Sequence, residues 1–265
     1  PEHDVLVVDE AHELAGRVTS VVTDELTPAM VEASARRARG SGAGDTGRLE
    51  DAGTALATAL EDVPAGRLPR GLPEAVLQAV AVVQDEARAV LTLLKDEPGA
   101  QGPADGAKQV ARAAVSEVLE VAERLVEHSD PAHPERAVQD VVWVTRRQDG
   151  SQPALHVAPV SVAGMLRERL FGDRAVVLTS ATLTLGGSLD ACAGSVGLAG
   201  PDAPEWSGLD VGSPFDYPKQ GVLYIARHLP PPGRDGVSAD ALAELEALIG
   251  AAGGRALGLF SSRRA

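Results

Sequence analysis

Asp4-Val5-Leu6-Val7-Val8-Asp9-Glu10-Ala11-His12 is the stretch on which the fold turns. A short, continuous, Val-rich run has the composition of a parallel strand buried on both faces. Its end is abruptly polar, and open α/β sheets collect ligand chemistry at the carboxyl ends of their strands. Asp9 there offers hard oxygen to Mg2+, usually through water. Glu10, one residue on, can orient an attacking water and take its proton in phosphoryl transfer. The bland alternative is an ordinary strand end whose Asp caps a helix. A helix is expected from about His12.

A second run of the same kind, Arg174-Ala175-Val176-Val177-Leu178, leads into Thr179-Ser180-Ala181-Thr182-Leu183. Small hydroxyl residues at a strand end can switch between hydrogen-bond partners, although alone they are equally good caps. The two runs lie about 170 residues apart. Both are short and β-branched, and both end in a polar cluster, so they are expected to be parallel neighbours in one sheet. That alignment would set Glu10 and His12 opposite Ser180 and Thr182.

Between the runs the period changes. Helices are expected over Pro28–Arg39 and Arg48–Asp62. Two longer ones follow, Pro73–Lys95 with Val76, Val80, Val83, Ala87, Val90, Leu91 and Leu94 on one face, and Pro103–His128 with Ala111, Val115, Val118, Ala122 and Leu125. Gly/Pro-rich breaks at 40–47, 64–73 and 98–106 separate them. Val141–Thr145 and Ala154–Val157 are expected to be a hairpin around Gln148-Asp149-Gly150-Ser151. A helix over Val162–Leu170 comes next. After the Pro/Gly-rich stretch 201–218, strands are expected at Gly221–Ala226 and Ala256–Phe260, with a helix at Ser238–Ala251 between them.

The 265 residues are 44% apolar and 23% charged, which is a globular composition. No apolar run reaches the roughly 20 residues of a membrane span, so no membrane partner is expected, and a cytoplasmic protein is the default. A single cysteine, Cys192, excludes an internal disulfide and a Cys-rich metal site. The formal charge of −14 argues against a surface broadly committed to nucleic acid. From Glu10 to Ala137 there are 22 acidic and 13 basic side chains, so the middle of the chain is the least suited to a phosphate backbone. The chain opens on Pro1 and stops at Ala265 just after an apolar run, which is expected of a segment of a longer protein.

Four blocks in order, Val7-Val8-Asp9-Glu10-Ala11-His12-Glu13-Leu14, Leu178-Thr179-Ser180-Ala181-Thr182-Leu183, Gly212-Ser213-Pro214-Phe215 and Ala256-Leu257-Gly258-Leu259-Phe260-Ser261-Ser262, resemble the motifs of DinG-type helicases, relatives of XPD. The resemblance implies a fold of class α/β: an incomplete RecA-like parallel sheet, a large helical arch-like insert, and the beginning of a second RecA-like domain. It implies a first motor domain over 1–22, an arch over 23–158, the end of the first motor domain over 159–200, and a linker with the start of the second over 201–265. It also implies an ATP- and Mg2+-dependent helicase acting on single-stranded or forked DNA in repair or replication. Asp9 would hold Mg2+, and Glu10 would be the catalytic base. His12 would relay the nucleotide state to a coupling motif of Thr179, Ser180, Ala181 and Thr182, and Ser261 and Ser262 would contact DNA.

Departures accompany the likeness. The family's G-x-G-K-T phosphate loop is absent from this chain, which is therefore expected to be inactive alone. The resemblance leaves room for an iron–sulfur cluster in a longer protein, but this chain carries no ligands for one. The last block ends Phe260-Ser261-Ser262-Arg263, where many relatives have a Thr-Ser-Tyr-like end. The alternative is a non-catalytic interaction module whose acidic insert binds a repair or replication protein. Other features are set aside: Gly40–Gly47 as a flexible loop, Glu127, His128, Asp130 and His133 as a surface turn, Trp143 and Trp206 as packing, and Arg167, Arg169 and Arg174 as a solvated face.

Overall fold

The computed structural model describes residues 3–95, 103–130, 132, 134–146, 152–172, 174–231 and 236–259. The chain divides into two compact units, Pro1–Gly208 and Leu209–Ala265. It is a mixed α/β protein, and among the described residues helices outnumber strands.

The first unit opens with β1 (Val5–Val8), a short 3-10 turn (Ala11–Glu13) and α1 (Leu14–Val21). A lobe follows: β2 (Asp24–Leu26), α2 (Pro28–Gly40), α3 (Gly47–Leu60), β3 (Gly66–Arg67), α4 (Glu74–Leu93), α5 (Pro103–His128), α6 (Pro134–Gln139), β4 (Asp140–Thr145) and β5 (Ala154–Pro159). The unit then runs through α7 (Ala163–Leu170), β6 (Ala175–Leu178) and α8 (Asp190–Ser195).

The expected long-range pairing is present. β1 and β6 are parallel, with Val5 opposite Ala175 and Val8 opposite Leu178. Backbone bonds extend the ladder past both strand ends, from Thr179 N–H to the Val8 carbonyl at 2.9 Å and from Ala11 N–H to the Thr179 carbonyl at 3.0 Å. The expected burial on both faces is corrected. Val5, Val7 and Val177 are 58%, 61% and 47% exposed. Their alternates, Leu6, Val8, Val176 and Leu178, are half-buried. Strand side chains alternate in direction, and only one face of this pair is covered. On that face Leu178 joins Leu14, Val18 and Leu170 around the buried Val162, Leu166 and Val196.

The lobe has its own core, running from Leu26 to Val157. The expected stripes account for it: Val76, Val80, Val83, Ala87 and Val90 on α4 and Ala111, Val115, Val118, Ala122 and Leu125 on α5 are buried. Each large aliphatic removed from water contributes about 1.5–3 kcal/mol before entropy is counted. α2 begins where the residues dictate, with Pro28 at its first turn and the Thr27 hydroxyl accepting the Met30 N–H at 3.0 Å. The C-terminal end of α3 is held by Arg146, whose guanidinium donates to the carbonyls of Leu60, Glu61 and Val63.

The lobe also holds a sheet of order β2-β5-β4-β3, antiparallel throughout. The expected β4–β5 hairpin is there, while its Gln148–Ser151 turn lies outside the described residues. β2 and β3 were not expected. They span three and two residues, too short and too polar for a period-2 signal, and exist as strands through their ladders to β5 and β4. Trp143 stacks on its cross-strand neighbour His156, ring centroids 5.0 Å apart and planes within 12°, so it is packed within the sheet.

The second unit contains α9 (Tyr217–Gln220) and α10 (Ala239–Ala251), the latter capped by the Ser238 hydroxyl accepting the Ala241 N–H. Here the expectation of strands at Gly221–Ala226 and Ala256–Phe260 is corrected, apart from Phe260, which lies outside the described residues. Residues 221–226 and 256–259 are irregular, and Val222 and Leu223 are 94% and 87% exposed. A strand is made by its ladder, and no ladder partner is present among the described residues of this unit.

Candidate active site

The ladder that joins β1 to β6 also joins the two polar tails. Because Ala11 bonds to Thr179, the turn Asp9–His12 and the turn Thr179–Thr182 lie side by side at one edge of the parallel pair. Glu10 sits at the centre with φ 51° and ψ 40°, the one positive φ outside glycine among the described residues. A left-handed residue costs energy that its surroundings must offset. Here the Asp9 carboxylate accepts the Glu10 N–H at 2.9 Å, and Ala11 behind it is buried.

Asp9 is oriented twice. Its Oδ1 accepts the Thr179 hydroxyl at 2.7 Å as well as the Glu10 N–H, leaving Oδ2 with no hydrogen bond among the described residues. The Thr179 bond first, and the Glu10 N–H second, hold the Asp9 carboxyl below the ordinary carboxylate range, against a small opposing effect of burial. The bonds that lower it are present above its unfolded value and are lost as pH falls through the folded one. Thr179→Val is therefore expected to raise the Asp9 pKa towards the usual range without unfolding the chain. A carboxyl 13C titration by NMR checks this, and an unmoved Asp9 midpoint contradicts the contact.

Ser180 joins Glu10 to His12. His12 Nδ1 lies 2.8 Å from Ser180 Oγ, and Ser180 Oγ lies 3.2 Å from Glu10 Oε2. The Thr182 N–H also donates to Ser180 Oγ at 3.3 Å. A hydroxyl has one proton and two lone pairs. With the His12 proton on Nδ1, Ser180 accepts from His12 and Thr182 and donates to Glu10, so its capacity is filled. His12 Nδ1 is also 3.3 Å from Glu10 Oε2, which closes the triangle. Ala181 is the spacer of this turn, and the Thr182 hydroxyl is 3.5 Å from Ser180 Oγ. The Glu10 and His12 side chains are both solvent-accessible.

Asp9, Glu10, His12, Thr179, Ser180, Ala181 and Thr182 are thus brought together, whereas Ser261 and Ser262 lie outside the described residues. An Asp oxygen facing outward suits Mg2+, which keeps most of its waters and needs few protein ligands. Among the described residues there is no group of three or more His, Cys, Asp or Glu placed to hold a metal ion. Cys192 is free, and burial pushes its thiol up, away from nucleophilic use.

Over 269 aligned positions covering all of this chain, the sequence is 45% identical to the ATP-dependent helicase DinG of Mycobacterium tuberculosis. The values are the same for the ATP-dependent helicase DinG of Mycobacterium bovis. The chain is similar to these DinG helicases over its whole length. It spans 40% of the length of these DinG relatives. No protein-family model matches it.

Most of the other features set aside take structural parts. In the 40–47 loop the Thr46 hydroxyl donates to the Ala35 carbonyl and Asp45 accepts the Gly47 N–H. The surface turn expected of Glu127, His128, Asp130 and His133 is corrected: Glu127 and His128 end α5 and His128 is buried, Asp130 accepts the Ala132 N–H, and His133 lies outside the described residues. The packing expected of Trp206 is corrected, since it is 41% exposed. Arg167 departs from the solvated face expected of it, because it donates to the carbonyls of Gly197 at 2.8 Å and Ala199 at 2.5 Å. Sequence reasoning missed Arg124, whose four hydrogen bonds go to residues distant in the chain. No helix among the described residues is long and apolar enough to cross a membrane.

Proposed function

We propose that this chain is the portion of an ATP- and Mg2+-dependent DNA helicase that carries the catalytic base and the coupling motif. The observation that supports this best is the hydrogen-bonded unit of Asp9, Glu10 and His12 with Thr179 and Ser180 at one end of a parallel strand pair. Residues 1–22 and 159–200 belong to a first, RecA-like motor domain. Residues 23–158 form an arch-like insert, and 201–265 are a linker and the start of a second motor domain. The names of the DinG relatives agree with this reading.

Glu10 accepts a proton from the water that attacks the terminal phosphate. Asp9 would hold the Mg2+ ion, which when bound would supply positive charge to offset that of the phosphates. As Glu10 turns to its water it gives up the Ser180 hydroxyl. Ser180 then rebalances its bonds to His12 and Thr182, and the turn after β6 carries that change towards single-stranded or forked DNA. Ser261 and Ser262 are the proposed DNA contacts. The setting is cytoplasmic DNA repair or replication.

The test is strand displacement. The full-length protein is expected to unwind a forked duplex with ATP and Mg2+ and not with a non-hydrolysable analogue, while the 265-residue chain alone releases no phosphate. Sustained Mg2+-dependent turnover by the chain alone, or no ATP-dependent unwinding by the full-length protein, contradicts the proposal.

A further inference from the structure

Two stretches join the lobe to the parallel strand pair, and they run side by side. The outgoing one is Val22–Asp24. Val22 packs in the small cluster beneath the pair, and Asp24 opens β2. The returning one follows β5, where Val160 N–H bonds the Gln139 carbonyl at 2.8 Å and Val162 re-enters the same cluster. β2 and β5 are antiparallel neighbours, Asp24 opposite Val157, so both stretches leave the lobe at one end.

One side chain spans this neck. Arg124, near the end of α5, grips Asp140 at the start of β4 with both arms, Nε to Oδ2 at 3.0 Å and Nη2 to Oδ1 at 2.7 Å. Its remaining nitrogen, Nη1, donates to Asp24 Oδ2 at 2.6 Å and to the Val22 carbonyl at 3.1 Å. The Arg124 side chain is 26% exposed, Asp140 18% and Asp24 39%, so the Asp140 fork is the better shielded part. Charge-assisted, bidentate bonds shielded from water are the strong ones. One group therefore ties the longest helix of the lobe to the backbone carbonyl of a residue whose side chain belongs to the other core.

We propose that Arg124 is a positioning residue that clamps the lobe at its neck and fixes its orientation relative to the β1–β6 edge. A lysine cannot replace it, since a single ammonium does not reproduce the planar fork. The consequence for DNA movement rests on the helicase reading above, whereas the clamp itself does not.

The decisive measurement is a distance distribution between spin labels at exposed Arg17 on α1 and exposed Gln78 on α4, in the 265-residue chain with Cys192→Ser. The parent is expected to give one narrow distribution. Arg124→Met and Arg124→Lys are expected to broaden it while the helical circular dichroism is kept. An unchanged width in Arg124→Met overturns the clamp. Should Arg124→Met lose its helical signal, Asp24→Ala reads the same claim, because it leaves the Asp140 fork in place and removes the side-chain acceptor on the outgoing stretch; an unchanged width there overturns it equally. In the full-length protein, Arg124→Lys is expected to lower unwinding several-fold with DNA-stimulated ATP hydrolysis retained. Unwinding equal to the parent's overturns the link to DNA movement, and a parent that unwinds nothing defeats the helicase reading while leaving the distance result to judge the clamp.

Discussion

Glu10→Gln in the full-length protein is expected to lower ATP turnover by about 10²–10⁴, the usual scale for loss of a general base, while ATP still binds. The amide keeps the shape of the carboxylate and can remain near Ser180, 3.2 Å from Oε2. It cannot accept a proton from water at neutral pH. The left-handed backbone at position 10 is held by the Asp9 carboxylate and the Ala11–Thr179 bond, neither of which the substitution touches. Steady-state phosphate release together with fluorescent-nucleotide binding separates the two effects. Turnover within a factor of a few of the parent, per mole of bound nucleotide, removes Glu10 from the role.

Leu155→Ala is expected to destabilise the lobe by about 2–5 kcal/mol, the range for deleting a buried leucine without collapse of the cavity. Leu155 is fully buried at the centre of the four-stranded sheet, opposite Leu26 on β2 and Val144 on β4. It packs into the core that α2, α3, α4 and α5 share. A large cost therefore requires the sheet and the helices to form one body. Urea denaturation of the chain measures it, and a change below about 1 kcal/mol, the level of an exposed site, contradicts this packing.

The long helices could be read directly, because α4 and α5 carry valines and leucines at helical spacing and the burial follows that spacing. β1 and β6 were readable for a different reason: each is a β-branched run that turns polar at its end, and parallel alignment gathers those ends. β2 and β3 were not, since Asp24-Glu25-Leu26 and Gly66-Arg67 have no period to detect and owe their form to partners far along the chain. The segment 221–226 has a strand's composition, but composition alone supplies no ladder. At the site, the Asp9–His12 and Thr179–Thr182 blocks were evident from residue type and place. That Thr179 would hold Asp9, while Ser180 fills its bonding capacity between Glu10 and His12, was not, because such geometry depends on register to the residue. Arg124 left no trace in the sequence: an arginine in a long helix looks solvated until its partners at Asp24 and Asp140 are placed beside it.

The central claim is that the acidic turn after β1 and the hydroxyl turn after β6 act as one unit, so that hydrolysis at Glu10 reaches DNA through Ser180. The number of base pairs unwound per ATP hydrolysed, measured on a forked duplex for the full-length protein and for Ser180→Ala, tests it most directly. Removing the hydroxyl deletes the bonds to His12, Glu10 and Thr182 and leaves the Asp9–Thr179 contact intact. The ratio is expected to fall by about ten-fold or more, the scale of one charge-assisted hydrogen bond, with DNA-stimulated hydrolysis within a factor of a few of the parent. A ratio equal to the parent's would contradict the account.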